Sequence, residues 1–325
     1  MKRSGSALIV IGLFLIVAFS ACGPSTGALG TLTPATPGAS LDTGPDLTPG
    51  PSGVPSPDTT PSDEPGASPS TEPSSKPPTA ETILVRTYFV LGGEPGTSGL
   101  VAVLREVPKT TARATAAINA LLAGPTKAEK GDDISSAIPD GSKLLGLTIK
   151  NSLATIDLSS EFESGGGSAS AFNRLGQVVY TLTQFSTVHT VVFQVDGRTV
   201  SVFGSEGIAL DGPVGRADYV DLLPAIFVDR PAYGAAIGNP ARVAGSANVF
   251  EATFRITILD GAGKTLADQQ AMATCGSGCR GTFDVTVRYD VPKAQWGTLR
   301  VWDGSAKDGS PQDVREYPVW LTPAG

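Results

Sequence analysis

Ser168-Ala169-Ser170-Ala171-Phe172-Asn173-Arg174-Leu175-Gly176-Gln177-Val178-Val179-Tyr180-Thr181-Leu182 is followed, five residues later, by Val188-His189-Thr190-Val191-Val192-Phe193-Gln194-Val195-Asp196-Gly197. In the first run Phe172, Leu175, Val179 and Leu182 recur at three- and four-residue intervals, the period of an amphipathic helix, and Ser168 is placed to cap it. The second run is β-branched and aromatic. Asp196-Gly197 ahead of Thr199 to Phe203 is a hairpin signal, because these residue types tolerate the positive φ that a tight turn demands. The same alternation recurs upstream. Ile83 to Leu91 and Leu100 to Val107 read as strands, and Leu144 to Ile149 and Leu153 to Leu158 flank Asn151-Ser152 as a hairpin. Between them Thr110 or Thr111 is placed to cap a helix carrying Ala114, Ile118, Leu121 and Leu122, ended by Gly124-Pro125. Two helices among strand pairs predict an α+β domain over 81–218, with the helices on one face of a sheet.

Helical periodicity ends there. Over 222–325, Ile226 to Val228, Val249 to Leu259, Phe283 to Tyr289, Thr298 to Trp302 and Tyr317 to Leu321 read as strands. Asp260-Gly261, Asp303-Gly304 and Asp308-Gly309 punctuate them, a spacing that predicts an all-β sandwich. The connection around Arg216 to Leu223 is short, which predicts limited freedom between the two domains.

Upstream, the composition changes abruptly. Residues 23–80 hold 14 Pro, 8 Gly, 9 Ser and 10 Thr and no aromatic residue. Such a segment has too little apolar surface to offset chain entropy and is expected to be a disordered linker. Before it, Lys2 and Arg3 precede an apolar run from Ala7 to Phe19 and then Ser20-Ala21-Cys22, the layout of an export signal over 1–21. The run is shorter than the ~20 residues a membrane span needs. Small residues directly before a Cys are similar to the bacterial lipoprotein signal, with Phe19 standing where that family usually has Leu. The resemblance implies a lipid anchor on Cys22 at the extracytoplasmic face of the cell membrane, with 22–80 as a tether.

Charge narrows the function classes. The 325-residue chain carries 24 Lys plus Arg against 31 Asp plus Glu and has one His. With no run of basic residues it makes a poor polyanion binder, which argues against nucleic acid as a partner. A single His removes most His-based catalysis and multi-His metal sites, so no metal and no cofactor is expected.

A family resemblance runs through the first domain. Leu121-Leu122-Ala123-Gly124-Pro125-Thr126, Ile138-Pro139, Ile156-Asp157-Leu158-Ser159 with Glu161-Phe162, Tyr180-Thr181-Leu182-Thr183-Gln184-Phe185 and Val195-Asp196-Gly197 resemble, in order, the GerMN domain of sporulation and germination proteins. In the second domain Pro231, Gly238-Asn239-Pro240, Val243-Ala244-Gly245, Phe250-Glu251-Ala252, Cys279-Arg280-Gly281-Thr282-Phe283 and Ser305-Ala306-Lys307-Asp308-Gly309 resemble the immunoglobulin-like domain of bacterial spore germination proteins. The first resemblance implies a small α/β module, similar to ring-building motifs, that mediates extracytoplasmic protein assembly. It brings no catalytic residue to carry over.

Few constellations could carry chemistry. Cys275-Gly276-Ser277-Gly278-Cys279 has three readings: a disulfide, a redox pair, or half of a metal site. In an exported protein the disulfide is preferred, and Arg280 is a slender support for a reactive thiol. His189 falls on the alternating face of Val191, Phe193 and Val195 and reads as a core or edge histidine. Asp157, Glu161, Glu163 and Asp132-Asp133 are the carboxylates to test for glycosidase chemistry, which needs a facing pair. They lack an aromatic sugar-gripping setting. Gly165-Gly166-Gly167 has no phosphate-loop ending and reads as a flexible loop.

All three Trp fall in the second domain. Leu299 and Val301 share one strand face and Arg300 and Trp302 the other, while Val319 and Leu321 oppose Trp320. If the aliphatic face is core, Arg300, Trp302 and Trp320 form a candidate binding surface. The preferred alternative is that the Trp face is itself core, or is covered by edge residues. The reading that results is a non-catalytic binding and assembly module of the cell envelope, with envelope proteins or peptidoglycan as partners. A cell-wall-active enzyme, or a regulator of one, is the alternative. A solute-binding lipoprotein would want a two-lobed repeat, which the sequence lacks.

Overall fold

The computed structural model describes residues 81–93, 97–205 and 207–324, all within one compact unit. The expectations for the export signal, Cys22 and the linker lie outside the described residues. The elements of the first domain are β1 (Thr82–Leu91), β2 (Gly99–Pro108), α1 (Arg113–Leu122), α2 (Lys127–Gly131), β3 (Ile134–Ser135), β4 (Leu144–Lys150), β5 (Leu153–Leu158), α3 (Ser168–Leu182), β6 (Thr190–Val195), β7 (Arg198–Thr199), β8 (Val202–Phe203) and β9 (Ile208–Ala209).

They do not make the one sheet expected. One sheet has the order β2-β1-β3, a second has β4-β5-β6-β7, and β8 and β9 pair separately. α1 packs against β1, β2 and β4, and α3 against β1, β6 and β9, so the helices bridge both sheets instead of lining one. β5 and β6 are parallel, with α3 as the crossover. That central position buries α3 on all sides over its C-terminal half. Every residue from Arg174 to Leu182 is buried.

The turn chemistry follows the sequence closely. Asn151 and Ser152 have φ of 50° and 62° between β4 and β5, and Asp196 and Gly197 have 47° and 75° between β6 and β7. The second hairpin is shorter than expected, since Val202–Phe203 leaves it to pair with β9. The helix starts also differ from expectation. Ala112 and Gly167 occupy the two cap positions without side-chain caps, and Thr110 Oγ1 instead accepts the Ala112 N–H at 3.0 Å. The short α2 was missed, although Thr126-Lys127-Ala128-Glu129 is a capping-box signature, and both reciprocal bonds form. Gly165 is pinned, not loose: the buried Arg174 donates from Nη2 to its carbonyl at 3.0 Å and from Nε to Ala137 O at 3.1 Å.

β1 holds the domain together through its two edges. One edge pairs with β2 over its whole length, while on the other only Val90 and Leu91 meet β3. The rest of that second edge is met by side chains of and just after α3. Gln184 accepts the Arg86 N–H at 2.8 Å through Oε1 and donates to Arg86 O at 2.6 Å through Nε2. Thr181 Oγ1 accepts the Tyr88 N–H at 3.2 Å, and Gln177 Nε2 donates to Tyr88 O at 3.0 Å. Gln177, Thr181 and Gln184, at helical spacing, thus take the place of a neighbouring strand.

The second domain is built from β10 (Ile226–Arg230), β11 (Ala236–Ile237), β12 (Ala241–Ala247), β13 (Thr253–Asp260), β14 (Thr265–Met272), β15 (Gly281–Val287), β16 (Gln295–Gly304) and β17 (Pro311–Leu321). A three-stranded sheet β10-β12-β15 and a five-stranded sheet β11-β17-β16-β13-β14 share one core, with Phe254 and Phe283 meeting across it at 4.7 Å. Three readings change here. Residues 250–252 form a tight turn with positive φ at Glu251 and Ala252, so β13 starts later than expected. Asp303-Gly304 is strand, not turn, and Asp303 is buried. β14 is an edge strand whose apolar residues, Leu266, Ala267, Ala271 and Met272, do not alternate, which is why no strand pattern announced it.

Gln184→Ala would leave the Arg86 N–H and C=O without partners on a partly buried edge. We expect a loss of about 2 kcal/mol, read by urea denaturation with an unchanged m value.

Candidate functional site

The described surface is indented where the two domains meet. A cleft of about 810 Å³ is floored by the outer face of β10-β12-β15 and walled by Tyr180 and Arg216 of the first domain. Its floor is made of small residues, Ala244, Ser246 and Thr282, with Phe227 beside them. Four arginines line it: Arg216, Arg230, Arg242 and Arg280.

A bulge aims two of the charged side chains. The register of β10 against β12 shifts between Val228 and Arg230, so Asp229 is left without a partner. Consecutive strand residues normally face opposite ways, and the extra residue lets both Asp229 and Arg230 line the cleft. Gly245 allows the close strand approach behind this floor, since a Cβ there would lie 1.9 Å from the Phe227 carbonyl oxygen.

Asp229 is the anion of a cross-domain clamp. The Tyr88 hydroxyl donates to its Oδ1, and Arg86 and Arg216 approach its two oxygens at 3.9 Å each. Arg216 also donates to Thr183 Oγ1 at 2.8 Å and to Tyr88 OH at 3.2 Å, and its guanidinium carbon lies 4.6 Å from the Tyr180 ring centroid. Burial opposes the charge on Arg216. Tyr88 and Asp229 outweigh it, holding the guanidinium above its ordinary value. Burial, with Asp229 adding to it, pushes the Tyr88 hydroxyl up to about 12. Phe227 completes the contact, edge-on to Tyr180 at 6.1 Å. A second set of contacts lies at the far edge of β2: Tyr233 donates its N–H to Ala102 O at 2.7 Å, and the buried Arg315 donates to Leu100 O at 2.9 Å.

Arg280 is presented by the cysteine loop. Cys275 and Cys279 are joined, with Cα atoms 5.7 Å apart. The loop is seated on residues 248–251, with the Ser277 N–H donating to Val249 O at 2.9 Å and the Glu251 N–H to Ser277 Oγ at 2.8 Å. Arg280, the next residue, turns to the interdomain connection and donates to Pro224 O at 2.8 Å and Ser246 O at 3.3 Å. It makes no salt bridge among the described residues, and burial pushes its guanidinium down.

The expected surface residues lie elsewhere. The aliphatic face of β16 and β17 is the core, with Leu299, Val301, Val319 and Leu321 fully buried. The half of the preferred reading that made the Trp face core therefore gives way, while Trp302 and Trp320 face outward half-buried, covered in part by neighbouring residues. Arg300, Trp302 and Trp320 share that outer face without forming one platform. Arg300 is paired to Glu316, its Nε donating to Oε1 at 2.6 Å. Trp302 lies under Arg255 at 5.7 Å and donates to Thr257 Oγ1 at 3.3 Å. Trp320 stacks edge-on with Trp296 at 5.4 Å. Trp296 and Trp302 are six residues apart on β16, about 20 Å at strand rise. Trp296, which is 54% exposed, was missed although its parity matches Arg300 and Trp302. His189 is exposed and precedes β6, so it is neither core nor strand. Asp157 serves a turn, its Oδ1 accepting the Gly197 N–H at 2.9 Å, and a hydrogen bond from Ser159 holds the exposed Glu161 carboxyl below its usual range. Among the described residues no group of three or more His, Cys, Asp or Glu is placed to hold a metal, and no helix is long and apolar enough to cross a membrane.

Residues 86–201 match the Germane family, described as "Sporulation and spore germination". Residues 225–310 match the family described as "Immunoglobulin-like domain of bacterial spore germination". The chain therefore carries these two germination-type domains in series. Among solved structures it is similar to the tandem GerMN domains of the sporulation protein GerM from Bacillus subtilis. The identity is 14%, coverage is 75% of this chain and 62% of that one, and the TM-score is 0.37. The first GerMN domain of the same protein is similar at 20% identity, over 42% of this chain and 99% of that one, with a TM-score of 0.35. A Clostridium perfringens protein described as a lipoprotein is similar at 23% identity, over 43% of this chain and 92% of that one, with a TM-score of 0.31. No curated protein sequence matches the chain.

Tyr88→Phe would remove the hydroxyl donor to Asp229 and should cost roughly 2 kcal/mol. Because the folded-state Tyr88 pKa is raised from 10.0 to about 12, the wild-type advantage is fully present below pH 10.0 and declines as the pH rises through about 12. Thermal unfolding of both proteins across that range reads the effect.

Proposed function

We propose that this chain is a lipid-anchored, extracytoplasmic binding and assembly module of the cell envelope, of the kind used in sporulation and germination, and that it is not a catalyst. The clamp around Asp229 carries the reading. It joins the two germination-type domains into one body through Tyr88, Arg86 and Arg216, which suits a protein that presents fixed surfaces to partners. The order of the two family matches supports it. In this reading Cys22 carries the acyl chains, 22–80 spans the distance to the membrane, and 81–218 and 222–325 are the working domains. Stable anchoring takes more than one acyl chain, which a diacylated N-terminal Cys supplies. Envelope proteins and peptidoglycan are the partners, and the outward face bearing Arg300, Trp302 and Trp320 is the surface offered to the wall.

Two experiments test the two halves of this reading. In a bacterial host fed an alkyne-tagged fatty acid, the wild-type chain should take up label and sediment with membranes, and Cys22→Ser should lose both properties. Unlabelled wild type would remove the anchor. Separately, the full chain should co-sediment with isolated peptidoglycan, and Trp302→Ala or Trp320→Ala should reduce the bound fraction severalfold. Absence of binding by wild type would leave envelope proteins as the only partners.

A further inference from the structure

We infer that the interdomain cleft is a binding site for a peptide carboxylate flanked by small apolar side chains. This does not depend on the lipid anchor or on the Trp face, because the site lies on the opposite sheet of the second domain and within the folded chain.

Charge and hydrogen-bond capacity both point to an anion. The cleft gathers Arg216, Arg230, Arg242 and Arg280 against two carboxylates, Asp229 and Asp284. Arg242 is engaged by Asp284, Nε to Oδ1 at 2.8 Å, and Arg216 belongs to the Asp229 clamp. Arg230 makes no hydrogen bond or ion pair among the described residues, and Arg280 is held only by neutral oxygens, several of them at 3.3 to 3.5 Å. The lining thus carries four guanidinium groups against two carboxylates; Arg230 is the one with no hydrogen bond among the described residues, and Arg280 stands beside it, turned to the carbonyls of the connection. A guanidinium fork matches a carboxylate or a phosphate in a two-point contact.

The walls choose between these anions. Asp229 and Asp284 stand in the same cleft, so a phosphate dianion would meet two fixed negative charges, whereas a carboxylate brings only one charge of its own. The uncharged lining mixes apolar side chains, Ala244 on the floor with Tyr180, Val220, Leu223 and Phe227 around it, with the hydroxyls of Ser246, Thr274 and Thr282. Small side chains on the floor leave room for a backbone and its methyl groups. About 810 Å³ is the size of a site for a short peptide or similar ligand.

The test titrates the purified full chain by calorimetry with N-acetyl-Ala-Ala-Ala bearing a free C-terminus, with its C-terminal amide, and with N-acetyl-Ala-Glu-Ala amide. Binding of the first assigns the carboxylate to a chain end, and binding of the third to an acidic side chain. The uncharged amide should not bind. Arg230→Gln and Arg280→Gln should each weaken binding roughly tenfold, and raised salt should weaken it further. Arg230 is exposed and unbonded, so its substitution leaves the fold intact even if loss of Arg280 loosens the connection. The inference is overturned if no peptide binds, if the amide binds as well as the acids, or if Arg230→Gln binds like wild type. Displacement of the peptide by an equal concentration of inorganic phosphate would also overturn it.

Discussion

Strand β1 has one edge filled by β2 and another that β3 reaches only at Val90 and Leu91. A buried strand edge cannot be left unpaired, because each orphaned N–H or C=O carries its desolvation cost. Here Gln177, Thr181 and Gln184 supply the missing partners, and that constraint fixes where α3 must lie. α3 in turn connects the parallel strands β5 and β6, so the position of the second sheet follows from the same contacts.

The same strand reaches the second domain. Residues 86 and 88, whose backbone is held by Gln184 and by Thr181 of α3, send their side chains to Asp229. The Asp229 carboxylate is thus surrounded by one tyrosine and two arginines that all come from the first domain. Such a clamp is orientation-specific, since removing any donor leaves a partly buried charge underpaired. Together with the contact of Arg315, from β17, with the Leu100 carbonyl of β2, it gives the domain pair two separated attachments, which resist rotation better than one.

Holding the domains in this way leaves a gap between them. The outer face of β10-β12-β15 is walled at one side by Tyr180, Arg216 and Val220, and its small side chains leave the cleft open. The bulge at Asp229 and the cysteine loop before Arg280 then bring charge to the rim. They orient donors, which is what a recognition site requires.

Much of the fold was legible in local sequence. The positive-φ turns at Asn151-Ser152 and Asp196-Gly197, the strands β1, β2, β4 and β5, and the extents of α1 and α3 follow from turn chemistry and periodicity, which act over a few residues. The division into two sheets was not legible, because strand partners are chosen by packing. The edge strand β14 escaped because its inward positions are Ala267, Gln269 and Ala271, too small or too polar to show an apolar alternation. The site was the least readable. Arg216, Arg230, Arg242 and Arg280 are far apart along a chain with a net charge of −7, so no basic run marks them. Sequence alone determined the order of domains, the turns and the family resemblance, all carried by contiguous residues. Only the tertiary structure decided which strand face holds the Trp residues and which arginines share a cleft, because burial and charge proximity are properties of chain segments brought together by folding.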